Sequence, residues 1–331
     1  MAILLVQFVG AALAVVFAGV FLTRYADAIG EHTGLGRTLA GALLLATATS
    51  LPELAVDSNL ARSGQANLIL GDLLGSSLFN LLILAVLDLA HRGPTRILAC
   101  SAAAHALPAM MSIVLTAVCL LFLLIPTTVT FAGIGPGPIL LASIYVFGLR
   151  LVYYDQQFAK DRLSAEAVVA VDVHILSLNR AVAGYAASAL GVLLAAPVLA
   201  HAAEGLATET GLGGTFIGTT LVALSTSMPE AVTTFAAIRT GAFDLAVGNI
   251  FGSNTFNMII LLPADGFFDG SLLAAASSTH AVTAVCVIIT TSVATLGLIY
   301  RPERRYWFVE PDAALVIVLV LGSLGLVYFL G

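Results

Sequence analysis

Charge is scarce in this chain. Only 10% of its 331 residues are Asp, Glu, Lys or Arg, while 60% are hydrophobic. Soluble domains carry about 25% charged residues. The shortage excludes an ordinary soluble domain, and a mean hydropathy of +1.04 assigns the chain to a membrane. Cysteine is nearly absent. Cys100, Cys119 and Cys286 all fall in apolar runs and lack metal or redox spacing, which leaves packing as their role. None of the six histidines has the HExxH spacing of a zinc protease. The alternation of a membrane β-barrel is also missing. The first apolar run has no basic start or clear cleavage site, so it reads as a retained helix rather than a signal peptide.

Apolar runs of about 20 residues, each enough to span a bilayer as a helix, recur along the chain. Ten spans are expected, near 3–23, 39–61, 66–88, 98–125, 129–149, 180–200, 215–238, 243–263, 271–299 and 312–330. With the N-terminus outside, twelve of the thirteen basic residues fall in inner loops, and only Arg62 lies outside. That is a strong positive-inside pattern. It predicts a multi-pass protein of the inner or plasma membrane with both termini outside and the 150–180 loop cytoplasmic. Topology thereby accounts for the basic residues, and nothing points to nucleic acid.

The chain repeats itself. Residues 41–80 align with 218–257 at a constant offset of 177 without a gap, and fifteen of the forty positions are identical. The matches include Pro52–Glu53 with Pro229–Glu230, Gly75–Ser76 with Gly252–Ser253, and Phe79–Asn80 with Phe256–Asn257. Apolar composition would align Leu and Ala, but not Pro, Glu, Asn and Arg in register. The fold class is therefore an all-α polytopic membrane protein built as two five-helix repeats. Residues 1–150 form the first repeat, 151–179 a cytoplasmic linker, and 180–331 the second. Five helices is an odd number, so the second copy is inverted. Inverted repeats with interrupted helices are the signature of a secondary transporter with a midplane site.

The interruption is ATSLPE at 48–53 and STSMPE at 225–230. Pro52 and Pro229 free the carbonyls of Ala48 and Ser225 from the helical ladder. Such groups persist in hydrocarbon only where something satisfies them, and a cation can. Thr49, Ser50, Thr226 and Ser227 add hydroxyls, and Glu53 and Glu230 add carboxylates. The partner motifs GDLLGSSLFN (71–80) and GNIFGSNTFN (248–257) add Ser76, Ser253, Asn80 and Asn257. Gly75 and Gly252 are expected to loosen these helices and permit close packing. An all-oxygen set suits hard cations such as Ca²⁺ and disfavours copper or zinc. A carboxylate at the bilayer centre costs at least about 2.5 kcal/mol, which favours function over a structural role for two symmetric glutamates.

TSLPE followed by GxxxGSxxFN, in two copies, resembles the α-repeats of the cation/calcium antiporter superfamily, specifically its prokaryotic sodium/calcium exchanger branch. The resemblance covers both repeats. It implies a core of spans two to five and seven to ten, with spans one and six as long tilted helices that slide against it. It implies four central ligands, Glu53, Glu230, Asn80 and Asn257. It also implies flanking sodium ligands at Ala46, Thr49, Ser50 and Ser76, and at Ala223, Thr226, Ser227 and Ser253, the alanines through their carbonyls. Ca²⁺ and Na⁺ then compete for the site as transported ions. No cofactor or protein partner is expected, and the chain would be a monomer or weak homo-oligomer.

Several points stay open on the sequence. With amides at both Asn80 and Asn257 the site carries at most −2, which one Ca²⁺, two Na⁺ or two protons would neutralise. Proton/calcium exchange is thus an alternative to sodium/calcium exchange, although the proton-coupled branch has a different repeat signature. A channel and an intramembrane acid-dyad hydrolase are different-class alternatives. Asp57 and Asp72, whose repeat mates are Thr234 and Asn249, are accessory acids in the outer half. They read either as an outer cation funnel or additional proton or cation site, or as hydrated vestibule residues, with Arg62 as a partner for Asp57. His105 and His280 read as helix-end packing, with pH regulation as the alternative. Asp244 reads as a helix cap.

Overall fold

The computed structural model describes residues 1–91, 97, 102–164, 176–210, 224–300 and 311–330. The described residues are almost entirely helical. They contain no strand, only an isolated bridge between Phe131 and Ile134. The helices are α1 (Ala2–Thr33), α2 (Arg37–Thr49), α3 (Leu51–Arg62), α4 (Ala66–Ala90), α5 (Ala102–Leu124) and α6 (Pro136–Ser164). After the linker come α7 (Leu178–Glu209), α8 (Met228–Arg239), α9 (Phe243–Phe267), α10 (Leu272–Ala275), α11 (His280–Tyr300) and α12 (Pro311–Leu330).

Among the described residues, seven helices are long and apolar enough to cross a membrane, or eight when α2 and α3 count as one bent span. The expected ten depend in part on residues outside the described set, including 211–223 ahead of α8. The helices differ from the expected spans in instructive ways. Both α1 and α7 run for 32 residues, well beyond 3–23 and 180–200. At 1.5 Å per residue each is about 48 Å long. That exceeds a hydrocarbon core of about 30 Å, so the pair must tilt or project. The 129–149 span starts only at Pro136, because Phe131 and Ile134 close a tight turn with Ala132 and Gly133 at positive φ before it. It then runs through the charged residues to Ser164. The 271–299 span divides into α10 and α11 at Ala276–Thr279.

The repeat is visible in helix lengths. Helices α3 and α8 have 12 residues each and α4 and α9 have 25 each, with both pairs starting 177 residues apart. α9 lies at the centre, with 83% of its apolar window buried, against 17% for α1. α1 packs chiefly along α7, so this long pair lies outside the bundle core. Two contacts tie its ends: the N-terminal ammonium pairs with Glu209, and Arg37 at the start of α2 donates to Asp27 at 2.8 Å and Glu31 at 3.3 Å on α1.

Close packing in the core depends on particular glycines. A Cβ on Gly41 would collide with the Leu245 carbonyl, and one on Gly248 or Gly252 would meet the α2 backbone at Thr38 or Ala42. The expectation for Gly252 holds in that sense. At Gly75, nothing among the described residues lies within 4 Å of a built Cβ. The close approach of α2 to α9 coincides with a π-helical turn at Ala40–Leu45. Such turns leave carbonyls off the regular ladder, and Tyr185 of α7 donates its hydroxyl to the Leu44 carbonyl at 2.9 Å. Asp265 is buried in the last turn of α9. It accepts the backbone N–H of Gly135 at 2.5 Å and of Leu272 at 2.6 Å.

These contacts separate two otherwise similar glycines. Gly41→Ala is expected to destabilise the purified protein by about 1–3 kcal/mol through overpacking, read as a lowered thermal midpoint in detergent. Gly75→Ala is expected to leave that midpoint unchanged or raise it, as alanine favours helix by ~1 kcal/mol.

Candidate functional site

The two Pro-Glu motifs fold alike. Ser50 departs from helical dihedrals at φ −93°, ψ 7° and Ser227 at φ −84°, ψ 8°, and a new helix starts at the next residue. The axis bends by 48° between α2 and α3. Pro52 and Pro229 sit at the second position of the new helices, where a missing N–H breaks no helical hydrogen bond. Glu53 and Glu230 follow in the first turn. There the unpaired N–H groups of a helix start favour negative charge. The proline break therefore also gives each buried carboxylate a helix N-terminus.

Around this pair the polar residues of both halves meet. Ser50 Oγ donates to Glu230 Oε1 at 3.4 Å, and Thr49 also reaches that carboxylate. Thr49 Oγ1 lies 3.5 Å from Ser253 Oγ. Glu53 and Glu230 lie within electrostatic reach of each other. Glu53, Glu230, Asn80, Asn257, Thr49, Ser50, Ser76, Ser227, Ser253 and Ala46 are all buried, whereas Thr226 is half-buried. Ala223 lies outside the described residues.

The hydrogen-bond account is unbalanced in one direction. Among the described residues, both oxygens of Glu53, Oε2 of Glu230, Oδ1 of Asn80, Oδ1 of Asn257 and Oγ of Ser227 have no hydrogen-bond partner. Buried polar atoms are normally paired. Here the amides point their N–H groups away: Asn80 Nδ2 donates to Asn254 Oδ1 at 2.9 Å and Asn257 Nδ2 to the Leu73 carbonyl at 3.4 Å. Each asparagine thus keeps a buried carbonyl oxygen without a donor among the described residues. Such an oxygen-only set can solvate a hard cation. No three His, Cys, Asp or Glu side chains converge into a metal-holding cluster among the described residues. Any such cation would therefore rely on two carboxylates and neutral oxygens.

Sequence reasoning missed Asn254 and Ser77. Asn254 accepts from Asn80 and donates to the Ser77 carbonyl at 3.1 Å, fastening α4 to α9 at their crossing. The two are repeat mates at the offset of 177, and a polar pair facing across otherwise apolar helices was the available signal. Asp244 does more than favour a helix start: His105 Nε2 contacts its Oδ1 at 2.8 Å, joining α5 to α9. His280 approaches Gly71. Arg62 is engaged elsewhere than at Asp57, lying over the Phe267 ring at 4.2 Å and donating to Asn59. Cys119 and Cys286 are unbonded thiols, and Cys100 lies outside the described residues.

A cavity of about 820 Å³ reaches Glu53. It is lined by Pro52 and Asp72 near the glutamate, and by Asn67, His201 and Glu204 toward the end of the bundle that carries the N-terminus and Glu209. It gives Glu53 a route to one side of the protein.

The sequence and structure match known proteins along most of their length. The family model described as "Sodium/calcium exchanger protein" matches residues 3–154 and 180–329. The putative antiporter CaxA of Alkalimonas amylolytica is 27% identical over 286 residues, covering 84% of this chain and 86% of CaxA. The sodium/calcium exchanger MaX1 of Methanosarcina acetivorans is 48% identical over a segment of 58 residues, 18% of this chain and 17% of MaX1. The solved structure of the sodium-calcium exchanger NCX_Mj superposes with a TM-score of 0.72 at 18% identity, covering 98% of this chain and 99% of that one. At that identity the likeness shows the fold.

Replacing the crossing asparagine tests its structural role. Asn254→Ala leaves Asn80 and the Ser77 carbonyl without their partner, and an unsatisfied buried group costs about 1–3 kcal/mol. The expected result is a lowered thermal midpoint, whereas Asn254→Ser, which can still donate and accept, is expected to recover part of it.

Proposed function

The chain belongs to the sodium/calcium exchanger protein family, and on that premise we propose that it is a secondary antiporter that exchanges Na⁺ for Ca²⁺ by alternating access. The central site in this reading is Glu53, Glu230, Asn80 and Asn257. Thr49, Ser50, Ser76, Thr226, Ser227 and Ser253, with the carbonyls of Ala46 and Ala223, are flanking ligands. One observation carries the proposal: among the described residues, both glutamates and both asparagines are buried and keep unpaired oxygens, and Ser50 of one repeat donates to Glu230 of the other.

The chemistry follows from charge and donor type. Two ionised carboxylates in a low-dielectric interior repel each other, and a divalent cation between them cancels both charges while neutral oxygens complete its shell. When Ca²⁺ leaves, two Na⁺ restore neutrality, and a third Na⁺ would leave the loaded site at +1. The residues at 1–150 and 180–331 act as inverted repeats joined by a cytoplasmic linker, with both termini outside. The cavity from Glu53 then opens outward, and movement of the α1–α7 pair against the core would close it and open the other side. Within the membrane the protein would work as a monomer or weak homo-oligomer. Two protons would also neutralise the glutamates, so H⁺/Ca²⁺ exchange at the same site is the second reading, favoured by the two amides.

The deciding measurement is uptake of radiolabelled Ca²⁺ into proteoliposomes loaded with Na⁺ at equal pH, alongside liposomes with a pH gradient and no Na⁺. Uptake that needs the outward Na⁺ gradient is expected, and uptake driven by the pH gradient alone would replace sodium by protons. Glu53→Gln and Glu230→Gln are each expected to reduce Ca²⁺ uptake to background. Wild-type uptake by either variant would remove the glutamates from the site.

A further inference from the structure

The two repeats differ at one buried pair. In the second repeat Asn249 donates through Nδ2 to Thr233 Oγ1 and to Thr234 Oγ1, each at 3.0 Å. The pairing links α9 to α8 because an amide N–H faces hydroxyl oxygens. At the offset of 177 the same positions in the first repeat are Asp57, matching Thr234, and Asp72, matching Asn249. A neutral donor–acceptor pair in one half is thus a pair of acids in the other.

Ionised carboxylates only accept hydrogen bonds, so this pair cannot bond as its counterpart does. Asp57 is fully buried, and neither of its oxygens has a hydrogen-bond partner among the described residues. Asp72 lies within electrostatic reach of Asp57 and lines the cavity that leads to Glu53. Among the described residues, no ion pair directs a basic side chain at the pair. On α3 itself Arg62 is held by Phe267 and Asn59. On α2 Arg37 is held by Asp27 and Glu31. On α9 Asp244 meets His105, and Asp265 takes the backbone N–H groups of Gly135 and Leu272. The remaining charged or titratable neighbours are Glu53 and Glu230 at the candidate central site, His201 and Glu204 across the cavity on α7, and His280 of α11 beside Gly71.

Two acids within electrostatic reach of each other, the oxygens of Asp57 buried without a donor among the described residues, repel when ionised unless a positive charge lies between them. We propose that Asp57 and Asp72 form a cation site of their own, separate from the central cluster, which takes one hard cation from the cavity and has no counterpart in the second repeat. The site makes the carrier asymmetric. Asp72 lines the cavity beside Glu53, and Asp57 is buried one turn along α3 from Glu53, whereas the same positions in the second repeat hold a neutral pair. The site's cation is a metal ion, Na⁺ or Ca²⁺, since oxygen ligands suit hard cations.

The test uses the full chain in lipid nanodiscs with Glu53→Gln and Glu230→Gln in place, so that the proposed central carboxylates are removed. In that background D57T/D72N is compared with the native acid pair. The double replacement installs the Thr–Asn pair that this protein already folds around in its second repeat, and a thermal midpoint at or above that of the parent is expected. Equilibrium binding of radiolabelled Na⁺ and of radiolabelled Ca²⁺ is read in parallel at one fixed pH. We expect D57T/D72N to lose one binding equivalent in one of the two arms. Identical binding in both arms overturns the site. If D57T/D72N fails to fold, Asp72→Asn alone restores one donor and is judged by the same loss. Failure of the central-site reading registers separately, as cation binding by the otherwise native protein that Glu53→Gln and Glu230→Gln leave unchanged.

Discussion

Everything in this molecule follows from keeping two carboxylates in the middle of an apolar bundle. Glu53 and Glu230 are buried, and an ionised carboxylate in such surroundings is costly unless charge or dipoles compensate it. The chain meets this by breaking a helix beside each acid. The break places the glutamate in the first turn of a new helix, with its N–H dipoles, and brings the hydroxyls of Thr49 and Ser50 to Glu230 in the other half of the molecule. The proline is where it does least harm, at the second position of the new helix. A continuous helix would provide neither the helix start nor the hydroxyl turn.

That local device requires close packing around it. α2 and α9 approach until their backbones touch, which only glycine at 41, 248 and 252 permits. The π-helical turn in α2 accompanies this approach, and its Leu44 carbonyl is met by Tyr185 from the long helix α7. This hydrogen bond, with those of Arg37 to Asp27 and Glu31, connects the peripheral α1–α7 pair to the helix that leads into the break. At the crossing of α4 and α9, Asn254 takes the N–H groups of Asn80 and so fixes which way that amide faces. The carbonyl oxygen left over is the one without a partner.

Symmetry sets the plan, and departures from it give the molecule its two sides. The repeat is strict in helix length and in the Pro-Glu and Gly-Ser-x-x-Phe-Asn motifs. It fails at Asp57 and Asp72, where the second repeat has a neutral hydrogen-bonded pair. It fails again at Gly75, where no neighbour among the described residues closes in as Ala42 does on Gly252. A carrier made of two identical halves would present the same chemistry to both faces. Asp72, where the second repeat has Asn249, distinguishes them at the cavity wall.

The sequence by itself determined the solvent, the helical class, the duplication and the family, because each depends on local composition or on residues matched in register. Polar residues do not align in register across apolar runs through composition alone, so ATSLPE and STSMPE mark the candidate site in the sequence itself. Helix ends were less legible. α1 and α7 outran their apolar segments because charged residues such as Arg24 and Asp27 continue a helix readily once it leaves the hydrocarbon. Only the tertiary structure decided which polar groups use each other. His105 and Asp244 are 139 residues apart, and Asn80 and Asn254 are 174 apart. No periodicity encodes such contacts, which arise when helices from opposite halves cross. The same crossing leaves the oxygens of Glu53, Asn80 and Asn257 unpaired, because it assigns the amide donors to other partners.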